Sequence, residues 1–128
     1  MLEKEAQMED EIEVGEYVRV NNDNRNCIGI GKATRLVNES IYVNMNNKYN
    51  LPVCFQINNI VKHSKIISEV VEAGDYVNGK LIHKIDKGPN YCYLYYGKGK
   101  TFVDYQIKTI LTKEQYMANC YKVGGEDE

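Results

Sequence analysis

The side chains able to do chemistry in this 128-residue chain are few and scattered. Asp75 and Asp104 could each act as a general base, but nothing in the sequence pairs either with an acid or a metal. Asp75 reads more simply as a cap for backbone amides in its own turn, with Glu16 doing the same earlier. Ser40, Ser64 and Ser68 stand in polar contexts without the turn that exposes a serine nucleophile. Gly-Ile-Gly-Lys at 29–32 and Gly-Lys-Gly-Lys-Thr at 97–101 suggest phosphate loops. A phosphate loop needs GxxxxGK[ST] leading into a helix, and both stretches lead into strand-like residues instead. They read as glycines at turns. Cys27, Cys54, Cys92 and Cys120 show no CxxC spacing, and His63 and His83 are far apart. Buried, reduced thiols are expected, with no metal and no cofactor. The chain is expected to be no enzyme.

One stretch has a pattern suited to binding. In Tyr-Cys-Tyr-Leu-Tyr-Tyr, residues 91–96, strand alternation puts Tyr91, Tyr93 and Tyr95 on one face and Cys92, Leu94 and Tyr96 on the other. Leucine and cysteine are the better core residues, so the tyrosine row should be the exposed one. Residues 80–122 carry eight basic side chains against three acids, and lysines surround the row in sequence, Lys84, Lys98 and Lys100 among them. Tyrosines beside lysines can hold single-stranded nucleic acid by stacking and phosphate contact. The same row suits a protein-binding face, where tyrosine is favoured. Cross-strand packing of tyrosines on each other and on lysine stems is the plain structural alternative.

The elements that would position this row come from a repeat. Glu-Val-Gly-Glu-Tyr-Val at 13–18 returns as Glu-Ala-Gly-Asp-Tyr-Val at 72–77. Downstream, Phe55, Gln56, Ile57, Ile60 and Val61 align with Tyr105, Gln106, Ile107, Ile110 and Leu111. Gly31-Lys32 and Gly79-Lys80 fall between entrance and exit in each half. An internal repeat is settled before the fold. The expected architecture is mainly β: two tandem small SH3-like bent barrels produced by duplication, each followed by a short helical turn. The units are expected at 13–67 and 68–123, flanked by tails at 1–12 and 124–128. "EYVRV", "CIGIGKATRLV" and "SIYVNMN" read as strands of the first unit, with Ile41, Val43 and Met45 on one face. "VNGKLIHKI" and "NYCYLYYG" pair across a Gly-Pro-Asn turn, and "FVDYQIKTIL" reads as a further strand. Thr112 with Gln115 three residues on reads as a helix N-cap. Units of about 55 residues are marginal alone, which favours packing on each other.

Net charge is −2, distributed unevenly: residues 1–16 carry −6 and residues 124–128 carry −3, leaving +7 on 17–123. Acidic ends would compete with an anionic partner for the basic body. No apolar run approaches the roughly 18 residues of a membrane helix. The acidic start lacks the features of a secretory signal, so a cytoplasmic location is expected.

The entrance "EAGDYVNGK" followed by "IKTILTKEQYM" resembles a group of small uncharacterised proteins encoded by phages and prophages of clostridia and related low-GC bacteria. The resemblance covers mainly residues 60–117 and implies an origin but no activity. With the acidic tails weighing against nucleic acid, the leading expectation is a non-catalytic protein-interaction module. It would be a phage or mobile-element accessory in the bacterial host cytoplasm that binds a host or phage protein, a host-defence inhibitor among the options. The alternative is a nucleic-acid-binding accessory using Tyr91, Tyr93, Tyr95, Lys84, Lys98 and Lys100.

Overall fold

The structure, a computed structural model, describes residues 11–21, 28–45, 51–121 and 123. Cys27, the C-terminal tail and residues 1–10 of the N-terminal tail lie outside the described residues. Among the described residues the chain is mainly β, with three small antiparallel sheets and one α-helix. None of the three closes into a barrel among the described residues.

The first sheet holds β1 (Tyr17–Asn21), β2 (Ile28–Val37), β3 (Ser40–Asn44), β4 (Pro52–Gln56) and β5 (Ile60–Ser64), in the order β4-β3-β2-β1-β5. A 3-10 turn, Ile57–Asn59, separates β4 from β5. β3 alternates as its sequence demands: Ile41 and Val43 point into the core with Met45 packed against it. Val18, Val20, Ala33 and Phe55 complete that core, and Ile12 joins them from ahead of the expected unit boundary. Each buried valine, isoleucine or phenylalanine among them contributes roughly 1.5–3 kcal/mol.

The second half contains β6 (Tyr76–Val77), β7 (Lys80–Leu81), β8 (Lys84–Lys87), β9 (Cys92–Gly97), β10 (Lys100–Phe102) and β11 (Ile110–Leu111). They form two three-stranded sheets, β11-β6-β7 and β10-β9-β8. β7 and β8 are interrupted only at Ile82 and His83, whose amides donate to the Asp75 and Tyr95 carbonyls, both at 2.8 Å. Counting β7 and β8 as one bent strand, the order is β10-β9-β8/β7-β6-β11, which matches the first half. Its separate core is Val71, Val77, Ile82, Cys92 and Leu94.

The repeated entrance is the same turn twice. The Glu16 amide donates to the Glu13 carbonyl at 3.1 Å, and the Asp75 amide to the Glu72 carbonyl at 3.0 Å. Gly15 and Gly74 occupy the third position with φ of 98° and 103°, where glycine carries no steric penalty. The acid closes each turn: Glu16 accepts from the Glu13 amide at 3.2 Å and Asp75 from the Glu72 amide at 2.7 Å. Gly15 donates to the Ala33 carbonyl and Gly74 to the Ile82 carbonyl, both at 2.8 Å.

Two of the sequence correspondences shift. Val18 pairs with Gly31 and Val77 with Lys80, so Gly31 matches Lys80 and not Gly79. Gly79 instead sits in the tight turn joining β6 and β7, with φ of 80°. Phe55 lies opposite Ile41 in the first core, and the residue opposite the equivalent Leu94 is Phe102. Tyr105, aligned with Phe55 by sequence, is 75% exposed. Nor is "FVDYQIKTIL" one strand. It breaks at a 3-10 turn, Asp104–Gln106, where the Gln106 side chain accepts from the Val103 amide at 2.9 Å.

The helical turns after the halves differ. β5 leads into a 3-10 turn, Ile67–Val70, while the second half ends in α1 (Lys113–Asn119). Thr112 caps α1 as its sequence predicts. Its hydroxyl accepts from the Gln115 amide at 3.1 Å, and the Gln115 side chain accepts from the Thr112 amide at 2.9 Å. α1 also reaches across to β2: a Cβ on Gly29, whose φ is 131°, would lie 2.7 Å from the Gln115 amide group. The bare glycine lets the two halves approach this closely.

Candidate functional site

The tyrosine row is present on β9. Cys92 and Leu94 are buried, while Tyr93 is 37% and Tyr91 50% exposed. Tyr95 is half-buried. The Tyr91 and Tyr93 rings lie 6.4 Å apart and tilted by 55°. Behind the sheet Tyr96 stacks on Phe102 at 4.4 Å and joins the core. The β8 ladder places Asp86 opposite Tyr93 and Lys84 opposite Tyr95. The Lys84 ammonium lies 5.3 Å from the Tyr95 ring centre and 3.6 Å from the Asp86 carboxylate.

Lys100 pairs with Gly97 at the hairpin end of the ladder, its side chain lying across the glycine. Lys98 occupies the turn itself, with Gly99 at φ of 70°. Tyr91, Tyr93, Tyr95 and Lys84 are thus brought together, and Lys98 and Lys100 stand at the end of the hairpin. Both glycine-lysine stretches are β structure. Residues 29–32 run inside β2, and a Cβ on Gly31 would lie 2.5 Å from the Asn44 carbonyl oxygen. Neither stretch opens a helix, so neither presents the row of amides that a phosphate loop requires.

Asp75 does cap its turn, and it does more. Arg19 of β1 is 1% exposed and forks onto both Asp75 oxygens, at 2.6 and 2.8 Å. The guanidinium also donates to the Val70 carbonyl and to Glu114 of α1, both at 2.9 Å. Asp75 accepts from the Lys113 amide at 2.9 Å. Glu72 receives Lys113 at 2.9 Å and Lys62 of β5 at 3.3 Å. Three cations and three carboxylates therefore meet where the halves join, and a paired buried charge of this kind tolerates no missing partner. Burial pushes the Arg19 guanidinium down, but the bond to Asp75 and the charges of Glu72 and Glu114 outweigh it and hold it above its ordinary value. Burial raises the Glu72 carboxyl, yet Lys113, Arg19 and Lys62 together hold it below the usual carboxylate range.

Sequence reasoning missed this cluster. Arginine in an alternating strand reads as a solvent-facing residue, and the second half that covers it is distant in the chain. A usable signal was the repeat itself, which carries Asp at 75 where the first copy has Glu at 16. In that first copy Glu16 holds His63 Nδ1 at 2.7 Å instead.

The thiols depart from expectation. Cys92 is buried, but Cys54 is exposed on edge strand β4 and Cys120 is only partly covered. Alternation explains Cys54: its neighbour Phe55 takes the inward position. None of these three forms a disulfide, and no cluster of three His, Cys, Asp or Glu side chains with metal-site geometry occurs among the described residues. No helix among them is long and apolar enough to cross a membrane. Comparison with protein-family models, curated proteins and solved structures gave no match.

Proposed function

We propose that the chain is a non-catalytic protein-interaction module whose binding face is the tyrosine row of β9. Its architecture is read as two SH3-like units related by duplication. The shared strand order, the 3-10 turn before each final strand and the identical entrance turns support that reading. Its origin is read as a phage or mobile element acting in a bacterial cytoplasm, on the resemblance of residues 60–117 alone.

One observation carries the choice of partner: Asp86 sits inside the row, cross-strand from Tyr93 and in an ion pair with Lys84 at 3.6 Å. A stacking platform for nucleic acid needs its cations available to phosphate. Here the nearest lysine shares its charge with a carboxylate that would repel phosphate. Tyrosine rings interleaved with both signs of charge fit a protein surface better.

Capture from a low-GC bacterial lysate, with and without nuclease, tests this with the intact chain and with Tyr91→Ala/Tyr93→Ala. A partner that survives nuclease and is lost from the variant supports the proposal. Oligonucleotide binding at low salt that Tyr93→Ala weakens by on the order of 1–3 kcal/mol would establish the nucleic-acid reading instead.

A further inference from the structure

A cleft of about 470 Å³ opens along the seam between the halves, away from the tyrosine row. Its volume lies within the range of about 300–1,000 Å³ typical of small-molecule sites. Tyr17, Ile30 and Lys32 form one wall, and Ile67, Ile107 and Lys108 stand among the residues opposite. No carboxylate lines it among the described residues.

The two lysines belong to the half of the described arginines and lysines that hold no acid. Arg19, Lys62, Lys65, Lys84, Lys87 and Lys113 each hold an acid. Lys32 and Lys108 form no ion pair among the described residues, and the Lys32 ammonium rests 5.2 Å from the Tyr17 ring centre. The wall that carries Lys108 is also fixed in place. Asn78, at φ of 53°, accepts from the Lys108 and Thr109 amides at 2.7 and 3.1 Å and donates to the Gln106 carbonyl at 2.9 Å. Isoleucines beside two lysines that hold no acid among the described residues, on a backbone fixed by Asn78, are complementary to a molecule with an aliphatic body and one negative end.

We infer that the seam cleft binds a small aliphatic carboxylate, its chain on the isoleucines and its carboxylate met by Lys32 and Lys108. Binding there would tie the halves together independently of the Arg19 cluster. It neither requires nor excludes a protein partner at β9.

The test is a titration of the full chain with octanoate, followed by two-dimensional amide NMR, with octanol and octylamine in parallel. Octanoate is expected to shift the Ile30, Ile67 and Thr109 amides saturably. Octanol should bind at least about tenfold more weakly, through loss of the charge-assisted contacts to both lysines, and octylamine more weakly still. Lys32→Ser and Lys108→Ser should each reduce octanoate affinity several-fold, while Lys98→Ser should leave it unchanged. The same spectra report whether each variant is folded. Equal binding of octanol and octanoate, shifts centred away from these amides, no saturable shift, or lysine variants that bind like the parent would each overturn the assignment. The same titration with the dipeptide acetyl-leucyl-isoleucine separates a free carboxylate from a peptide C-terminus. Tighter binding of the dipeptide would overturn the small-molecule source.

Discussion

At the scale of single residues, Arg19 is the position where one change should matter most. Its guanidinium satisfies both oxygens of Asp75, a carboxylate with no exposed surface, so Arg19→Met strands a buried negative charge. The expected loss is about 3–5 kcal/mol, read as a lower urea midpoint. Adding Asp75→Asn should recover part of that loss, because the stranded charge is then gone. An unchanged midpoint in Arg19→Met would contradict the role given to the pair. Glu72 and Glu69 set the acid limb. Lys87 and Ser64 hold the Glu69 carboxyl below its ordinary range, and Glu72 lies below it for the reasons given above. A carboxylate depressed in the folded state stabilises above its unfolded value and loses that contribution as protons bind. Stability should therefore hold from neutrality toward about pH 5 and decline below about pH 4. Urea midpoints across that interval check it, and Glu72→Gln should flatten the decline. The exposed Cys54 should react with iodoacetamide in native protein and the buried Cys92 only on unfolding, as mass spectrometry would record.

At the scale of elements, much was legible because the signal was local. Alternation in 40–45 and 91–96 identified the inward faces, since a strand in a sheet with one covered face has little choice. Thr112 and Gln115 announced α1 because a capping box is complete within four residues. Thr112→Ala should cost about 1 kcal/mol and lower helical circular dichroism, with both effects absent if the cap is incidental. The glycine-acid entrances foretold two equal turns, and the structure bears that out bond for bond. What sequence could not give was register. Tyr105 was aligned with Phe55 because their surroundings match, yet a 3-10 turn falls three residues earlier relative to the last strand and hands the inward position to Phe102. A slip of one residue at Gly31 and Gly79 has the same origin: ladder pairing depends on turn lengths that composition does not encode. The Tyr91, Tyr93, Tyr95 and Lys84 grouping was readable from one strand and its partner. The Asp86 that changes its meaning was not, because the strand reads as ending at Ile85 while β8 runs on to Lys87.

At the scale of the whole molecule, two separate cores meet across an ionic junction and a close approach of Gln115 to Gly29. The chain should therefore unfold in one step, with tyrosine fluorescence and far-ultraviolet circular dichroism giving coincident urea transitions. Two resolved transitions would mean that the halves are independent. A fragment ending at residue 67 keeps its apolar core but leaves Arg19 without Asp75 and should show poorly dispersed amide resonances. The junction also has a consequence for the chain as it is made. Arg19 leaves the ribosome early, Asp75 follows 56 residues later and Glu114 95 residues later. Through that interval the nascent first half carries a hydrated cation that the later residues must dehydrate. Synthesis thus supplies the cation before either of the carboxylates that grip it. The ionic junction is complete only once α1 has been made and Glu114 can reach Arg19.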